Sequence, residues 1–323
     1  MNKRAASVSS SSRPPLVSVI TPVFNGAPWL REALDSALAQ TFRSLEIIVV
    51  NDGSTDDSLA IARDRAVGDS RIRIIDQPNA GLPAARNRAL RAARGAYLAL
   101  LDADDAWLPN HLMIAMQAFE SDPDLGLVHA NIERVDADGA RVDIPVRTWS
   151  RDMDPFDALA LRHEHVSCPT AVFSRVALDA VGGFDLRFTG LGCEDRDLWL
   201  RIAARFRIRY LDQVTARYRA HPGSMSAASE RMALARQLLV AKLAESARGA
   251  RLVCQMEAMI DSDLGLSLSQ EGCFREAIAQ QWIALRQCPT DRMIQRRFIG
   301  ALLAPCRLLV PEPSAGTQRG RSG

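Results

Sequence analysis

Apolar runs alternate with amphipathic stretches along the first hundred residues of the chain. Four runs are apolar and rich in β-branched residues, which is typical of buried strands. They occupy residues 16–24, 45–50, 72–77 and 96–101. The stretches between them carry apolar residues at helical spacing. This alternation predicts an α/β fold with a parallel sheet that helices cover on both faces.

Polar residues follow each of the four predicted strands at its carboxyl end. In a doubly covered parallel sheet, ligands bind in the crevice outside the carboxyl ends of the strands. We therefore expect the four polar clusters to line one ligand crevice. In chain order they are Asn25, then Asn51 and Asp52, then residues 76–79, then Asp102, Asp104 and Asp105.

The second half of the chain has a different pattern. Residues 193–206 form an amphipathic stretch that predicts a helix, and the chain from about Ser226 to Leu309 is rich in Ala, Leu, Gln and Arg and predicts more helices. Residues 266–291 have the look of one helix-turn-helix unit of the tetratricopeptide kind, and a single unit cannot form a solenoid. The predicted organisation is a disordered arm (1–15), an α/β domain (16–225), a helical extension (226–310) and a disordered tail (311–323).

Composition narrows the functional classes. The 323 residues are 47% hydrophobic and 24% charged, which suits one large domain with an appendage. The net charge of +2 gives no support for a nucleic-acid partner. Six cysteines without a Cys-x-x-Cys pair favour a reduced, cytoplasmic protein without a zinc site. No apolar run is long enough to span a membrane, but basic residues near the ends leave peripheral contact with the inner membrane face open.

Two short motifs bear chemistry that the residues alone leave undecided. Asp102 and Asp104 are two residues apart after a strand, so they could bind Mg²⁺ or Mn²⁺ together with a diphosphate. The alternative interpretation is that these residues form a solvated turn before a helix. Asp52 could accept a hydrogen bond from a nucleotide base or ribose, and an Asn-Asp-Gly turn explains that motif as well.

Three sequence blocks together are much more specific than either motif. They read VSVITPVFNGAPWLREALDSALAQTFRSLEIIVVNDGSTDDS, then PNAGLPAARNRALRAARGAYLALLDADD, then GCEDRDLWLRIA. In this order and spacing they strongly resemble the family 2 glycosyltransferases, which have the GT-A fold. The resemblance covers about residues 16–224 and implies a mostly parallel, nucleotide-binding sheet flanked by helices.

The resemblance also implies roles for individual residues. Asp195 would be the general base, with Glu194 as the second candidate, and Asp102 and Asp104 would bind the metal ion and diphosphate. His221 is a further expected metal ligand. Mg²⁺ or Mn²⁺ would be the cofactor. The residues expected to contact the nucleotide sugar are Thr21, Pro22, Phe24, Asn25, Asp52, Asn79, Gly81, Arg86, Asn87, Asp102 and Ala103.

The implied reaction is transfer of a sugar, with inversion, from a nucleotide-diphosphate donor to a hydroxyl group. The expected donor is a UDP-sugar, and the expected acceptor is a carbohydrate or a lipid-linked molecule of cell-surface polysaccharide or lipopolysaccharide synthesis. A nucleotidyltransferase is less consistent, because no Lys or Arg lies between Thr21 and Arg31 to hold a triphosphate. A catalytically idle nucleotide-binding or scaffolding protein stays open, as does a homodimer formed through the helical end.

Overall fold

The computed structural model describes residues 16–144, 153–161, 165–221, 223 and 229–307. The first hundred residues alternate strands and helices as the hydrophobic pattern predicts. β1 and β2 are buried along their whole length, which explains why most of their residues are apolar. The elements are β1 (Val17–Val23), α1 (Ala27–Leu38), β2 (Leu45–Asp52), α2 (Ser58–Gly68), β3 (Ile72–Gln77), α3 (Leu82–Ala92) and β4 (Tyr97–Leu100).

The following segment adds shorter and less regular elements. Short 3₁₀ turns at Cys168–Thr170 and Leu186–Phe188 interrupt it. Its strands and helices are β5 (Ala106–Trp107), α4 (His111–Ser121), β6 (Leu125–Val135), β7 (Arg141–Asp143), α5 (Pro155–Ala160), β8 (Val172–Ser174), α6 (Arg175–Val181), α7 (Glu194–Ala203) and β9 (Arg207–Arg219).

One mixed sheet contains all of these strands. Its order is β3-β2-β1-β4-β8-β6-β9-β5, and β7 pairs with β6 outside this path. The first four strands are parallel, with Val17 opposite both Leu45 and Tyr97. β8 runs antiparallel to β4 and β6, so the sheet is mixed beyond β4. The predicted α/β fold is confirmed, and its parallel part is the half that the regular strand-helix alternation builds.

Helix α1 shows how the sequence pattern produces packing. Leu30, Ala33, Leu34 and Ala37 recur at intervals of three and four residues and are completely buried. They belong to one core cluster with the apolar side chains of β1 and β2. Because the helices cover the sheet faces, the polar loops at the strand ends are left to form the crevice.

The remainder of the described chain is helical, in agreement with its sequence. The chain divides into two compact units, with the boundary between Ala235 and Arg236. The domain boundary expected at 225/226 stays a prediction. The predicted arm (1–15) and tail (311–323) lie outside the described residues. None of the described helices combines the length and apolar character needed to cross a membrane. The helices are α8 (Ser229–Ala244), α9 (Ala247–Ala250), α10 (Val253–Gln270), α11 (Phe274–Gln287) and α12 (Arg292–Arg307).

Candidate active site

The loops after β1 and β2 are joined by hydrogen bonds around Asn25. Asn25 has a positive φ of 52°, a conformation that Asn adopts more readily than most residues. Its side-chain oxygen accepts the backbone N–H of Thr55 at 2.8 Å, and its own N–H donates to the Ser54 hydroxyl at 3.0 Å. The two strand ends therefore form one continuous rim of the crevice.

Asp52 organises the loop that leads into α3. Its carboxylate is 3% exposed and accepts the backbone N–H groups of Ala80 and Gly81, both at 2.9 Å, and the Gln77 amide at 2.8 Å. Gly81 has a φ of +86°, and a Cβ there would lie 2.5 Å from the Thr189 side chain. A carboxylate offers about four lone-pair sites, so one remains for a ligand donor. Contact between Asp52 and a nucleotide base stays a prediction.

Arg86 is the buried centre of the site. Arg86 is only 1% exposed, and a charged side chain is rarely buried this deeply unless it is paired. One guanidinium nitrogen donates to Glu194 at 2.5 Å, and the other donates to both oxygens of Asp102 at 2.7 and 2.9 Å. The second nitrogen also lies 3.2 Å from the sulfur of Cys168. A single side chain thus joins the end of β4 to the start of α7.

This geometry gives Arg86 an organising role, and its expected contact with the nucleotide sugar stays a prediction. Two carboxylates surround the guanidinium, and their charges raise the pKa of Arg86 well above its usual value against the opposing effect of burial. Arg86 is therefore permanently charged. Glu194 is 4% exposed, and its side chain is paired with this cation.

Asp195 has a different environment from its neighbour Glu194. Burial, followed by the charge of Glu194, raises the pKa of Asp195 to about 6. The residue is half-buried and lines a small cavity. The other residues around the cavity are Leu159, His165, Val166, Arg196 and Trp199. A carboxylate that titrates near neutral pH can accept a proton and release it again, which is the property required of a general base.

The backbone before α7 turns sharply to present this acidic pair. Cys193 has a φ of 63°, in the left-handed region that non-glycine residues seldom occupy. Glu194, Asp195 and Asp197 then fill the first turn of the helix, where the helix dipole stabilises negative charge. The turn therefore sets the direction in which the two side chains leave the helix.

The loop after β4 contains the three aspartates of the Asp-Ala-Asp-Asp motif. The Asp104 side chain is 34% exposed, and its oxygen lies 3.1 Å from Nε2 of His221. The ring of His221 lies 4.3 Å from that of Trp29. Burial and the charge of Asp102 raise the pKa of Asp104. Asp105, in contrast, is 3% exposed and accepts the backbone N–H of Arg219 at 3.0 Å.

The donor set at this loop fits a divalent cation that also binds phosphate oxygens. Asp104 and His221 lie side by side, and carboxylate and imidazole are both metal ligands. Among the described residues, no three or more His, Cys, Asp or Glu side chains converge as a complete metal site. Mg²⁺ commonly binds through one or two carboxylates and takes its other ligands from substrate phosphates and water. A site with few protein ligands therefore fits such an ion.

The other residues predicted to contact a nucleotide occupy two environments. Thr21 and Pro22 are buried within β1, and the Thr21 hydroxyl has no hydrogen-bond partner among the described residues. Phe24 is 53% exposed and Asn79 is exposed, both at the open end of the sheet. Ala103, in the loop after β4, is 9% exposed and packs into the core. Their contacts with a ligand stay predictions.

Sequence reasoning missed Arg219. Its side chain is 2% exposed, donates to the backbone oxygen of Asp104 at 2.9 Å and pairs with Glu32 at 2.5 Å. It therefore fixes the loop after β4 to α1. No spacing signal could have revealed it, because Arg219 is 115 residues from Asp104 in the chain.

Comparison with known proteins places these features in a family. The sequence profile described as Glycosyl transferase family 2 matches residues 18–182, just over half of the chain. The hyaluronan synthase of Pasteurella multocida is 36% identical over 131 residues, which are 41% of this chain and 14% of that protein. The matched segments span between 14% and 64% of the length of the curated relatives.

Solved structures show the same fold at low sequence identity. The mannosyltransferase PcManGT from Pyrobaculum calidifontis, in complex with GDP-Man and Mn²⁺, matches with a TM-score of 0.61 and 23% identity, over 92% of this chain and 84% of that one. The S. aureus protein TarS (residues 1–349), in complex with UDP-GlcNAc, matches with a TM-score of 0.60 and 18% identity, over 90% and 87% of the two chains.

Proposed function

The chain belongs to the family 2 glycosyltransferases, and on that premise we propose that it transfers a sugar from a UDP-sugar to an acceptor hydroxyl with inversion. The observation that carries the proposal is the Arg86 bridge. It joins Asp102, in the loop after β4 that we call the donor loop, to Glu194 of the acidic pair, so both halves of a transfer reaction belong to one site. Two acidic turns without a shared function would not be expected to bind the same buried arginine.

Asp195 is the proposed general base. In an inverting transfer, a base removes the acceptor proton while the acceptor oxygen attacks the sugar from the side opposite the departing diphosphate. Asp195 has a pKa of about 6 and borders a cavity, whereas Glu194 is held by Arg86. Asp195 therefore suits the role better than Glu194, which is assigned to positioning Arg86.

Asp104 and His221, with Asp102 nearby, are the proposed residues that hold Mg²⁺ or Mn²⁺. When bound, the ion would neutralise the negative charge that grows on the departing diphosphate. The Mn²⁺ in the complex of the structurally similar mannosyltransferase is consistent with this assignment. Asp102 already shares its charge with Arg86, so Asp104 is the principal protein ligand of this proposal.

The proposed setting is the synthesis of a cell-surface polysaccharide or lipopolysaccharide. A match to a hyaluronan synthase supports a carbohydrate acceptor, and the UDP-GlcNAc complex of TarS supports a UDP-sugar donor. The GDP-Man complex of the mannosyltransferase makes GDP the main competing nucleotide. The donor is therefore the first point to test.

Calorimetric titration with UDP, GDP and CDP, each with and without Mn²⁺, tests the donor site directly. We expect UDP to bind tightest and its affinity to depend on Mn²⁺. Replacement of Asp104 by Asn should reduce the Mn²⁺-dependent part by roughly tenfold or more, because a charged ligand of the cation becomes neutral. Asp138→Asn, at an exposed aspartate of the β6–β7 turn, is the matched control and should leave binding unchanged.

Two outcomes would contradict the assignment. Equal UDP affinity with and without Mn²⁺ would show that the metal ion takes no part in nucleotide binding. Binding of none of the three nucleotides would reject the transferase proposal for this site and favour the scaffolding alternative.

The rate of transfer should depend on pH through Asp195. Its ordinary pKa is 3.8 and its value here is about 6, so the proton-accepting form predominates only above about pH 6. At saturating donor, kcat/KM for the acceptor should therefore fall roughly tenfold for each pH unit below 6. The check is a pH profile of initial rates, with nucleotide affinity measured at each pH as the control. A flat profile from about pH 5 to about pH 7 would contradict the role of Asp195.

A further inference from the structure

The hairpin of α11 and α12 exposes large apolar side chains that its own core does not use. The inward positions Ala277, Ala284 and Ile294 are completely buried. Trp282 and Ile283 of α11, in contrast, are 50% and 43% exposed. On α12, Ile299, Leu302 and Leu303 are 54%, 45% and 48% exposed. Clustered apolar exposure of this kind marks an interaction surface more often than a solvated one.

An aromatic contact connects the exposed side of α11 with that of α12. The ring of Trp282 lies 5.5 Å from that of Phe298, so the exposed positions of α11 continue onto α12. Ile299, Leu302 and Leu303 are three and four residues apart and therefore share one face of α12. We call this set, Trp282, Ile283, Ile299, Leu302 and Leu303, the apolar patch.

Positive charge accompanies the apolar patch. Residues 274–307 contain six arginines and two acidic residues, Glu276 and Asp291. Arg275, Arg286, Arg292 and Arg296 are exposed, whereas Arg297 is directed inward and pairs with Asp263 at 2.7 Å. Arg292 and Arg296 lie on the same outward face of α12 as Ile299, two turns and one turn closer to its start, respectively.

We propose that the α11–α12 hairpin is a docking surface for an anionic lipid bilayer. An amphipathic surface with arginines beside apolar side chains enters the headgroup region of such a membrane. Tryptophan prefers this interface because its ring is apolar and its N–H can remain in contact with water. The arginines bind lipid phosphates, and the apolar patch leaves water.

Charge also decides between this occupant and a second copy of the chain. In a two-fold dimer the same patch would face itself, which would bring the exposed arginines of both copies together. An anionic membrane instead complements them. The inference concerns the helical unit alone and does not depend on the proposed transfer reaction.

Co-sedimentation of the full chain with lipid vesicles tests the proposal. We expect binding to vesicles of phosphatidylcholine with phosphatidylglycerol, weak binding to phosphatidylcholine alone, and a decrease as salt is added. Replacing both Arg292 and Arg296 by Gln should weaken binding roughly 30-fold, and replacing Leu302 by Ser should weaken it about tenfold. Arg88→Gln and Val67→Ser are matched controls, since both residues are exposed outside the hairpin and should leave binding unchanged.

Circular dichroism of each variant separates a lost surface from a lost fold, and the arginine pair is exposed enough to keep the fold intact. Three outcomes would overturn the proposal: no binding to either vesicle, equal binding to both, or loss of binding in the control variants. Analytical ultracentrifugation tests the competing occupant. A dimer that Leu302→Ser dissociates would assign the patch to a second copy instead.

Discussion

Replacing Asp195 by Asn is expected to reduce kcat about 10²–10⁴-fold, the range that a positioned general base contributes. The two side chains have nearly the same size, so the cavity beside Trp199 should keep its shape. Only the capacity to accept the acceptor proton is removed. Affinity for the nucleotide should stay within about twofold, because the donor loop is held through Arg86 and Glu194 and not through Asp195.

The measurement is a steady-state assay of transfer with calorimetry of nucleotide binding on the same preparation. Asp197→Asn is the matched control, since it makes the same change on the same helix turn at a carboxylate paired with Arg201 at 2.8 Å. That variant should retain most activity. Unchanged turnover in Asp195→Asn, with nucleotide still bound, would show that the base lies elsewhere, and Glu194→Gln would then be the next variant.

Replacing Arg86 by Gln should produce the largest loss of stability of any variant considered. The change leaves the carboxylates of Asp102 and Glu194 without their shared cation, and an unpaired buried charge costs about 3–5 kcal/mol of unfolding free energy. Denaturant unfolding of the wild type and the variant measures this difference.

Arg86→Lys separates charge from geometry at the same position. A lysine retains the positive charge, but its single ammonium cannot reproduce the fork that reaches both carboxylates. It should recover part of the stability and little of the activity, since the donor loop and α7 would no longer be held together. Arg88→Gln, two residues along the same helix and exposed, should change stability by less than about 0.5 kcal/mol. A loss below about 1 kcal/mol in Arg86→Gln would contradict the bridging role.

The strand-helix alternation of the first hundred residues was predictable because burial there follows simple periodicities. β2 is apolar from Ile47 to Val50 because helices cover both faces of the parallel sheet, and α1 repeats its buried residues every three and four positions. The carboxyl-end rule then placed Asn25, Asp52 and Asp102 at the crevice side of their strands. Local patterns of this kind need no knowledge of distant contacts.

Beyond β4 the sequence pattern was less informative, and the reason is the sheet itself. β8 has only three residues and β5 two, so neither offers enough positions for a period to emerge. Their direction depends on which neighbours they meet, and β8 pairs antiparallel with both β4 and β6. Such pairings are decided by tertiary contacts that connect residues far apart in the chain.

The sequence by itself determined the parallel half of the sheet, the family resemblance and the identity of the acidic residues, because those depend on residue type and local spacing. Only the tertiary structure decided how those residues act on one another. Arg86 lies buried between Asp102 and Glu194, which is 108 residues away in the chain. Its expected contact with the nucleotide stays a prediction. The different environments of Glu194 and Asp195 likewise arise from burial and neighbouring charge, which cannot be predicted from two adjacent acidic residues in the sequence.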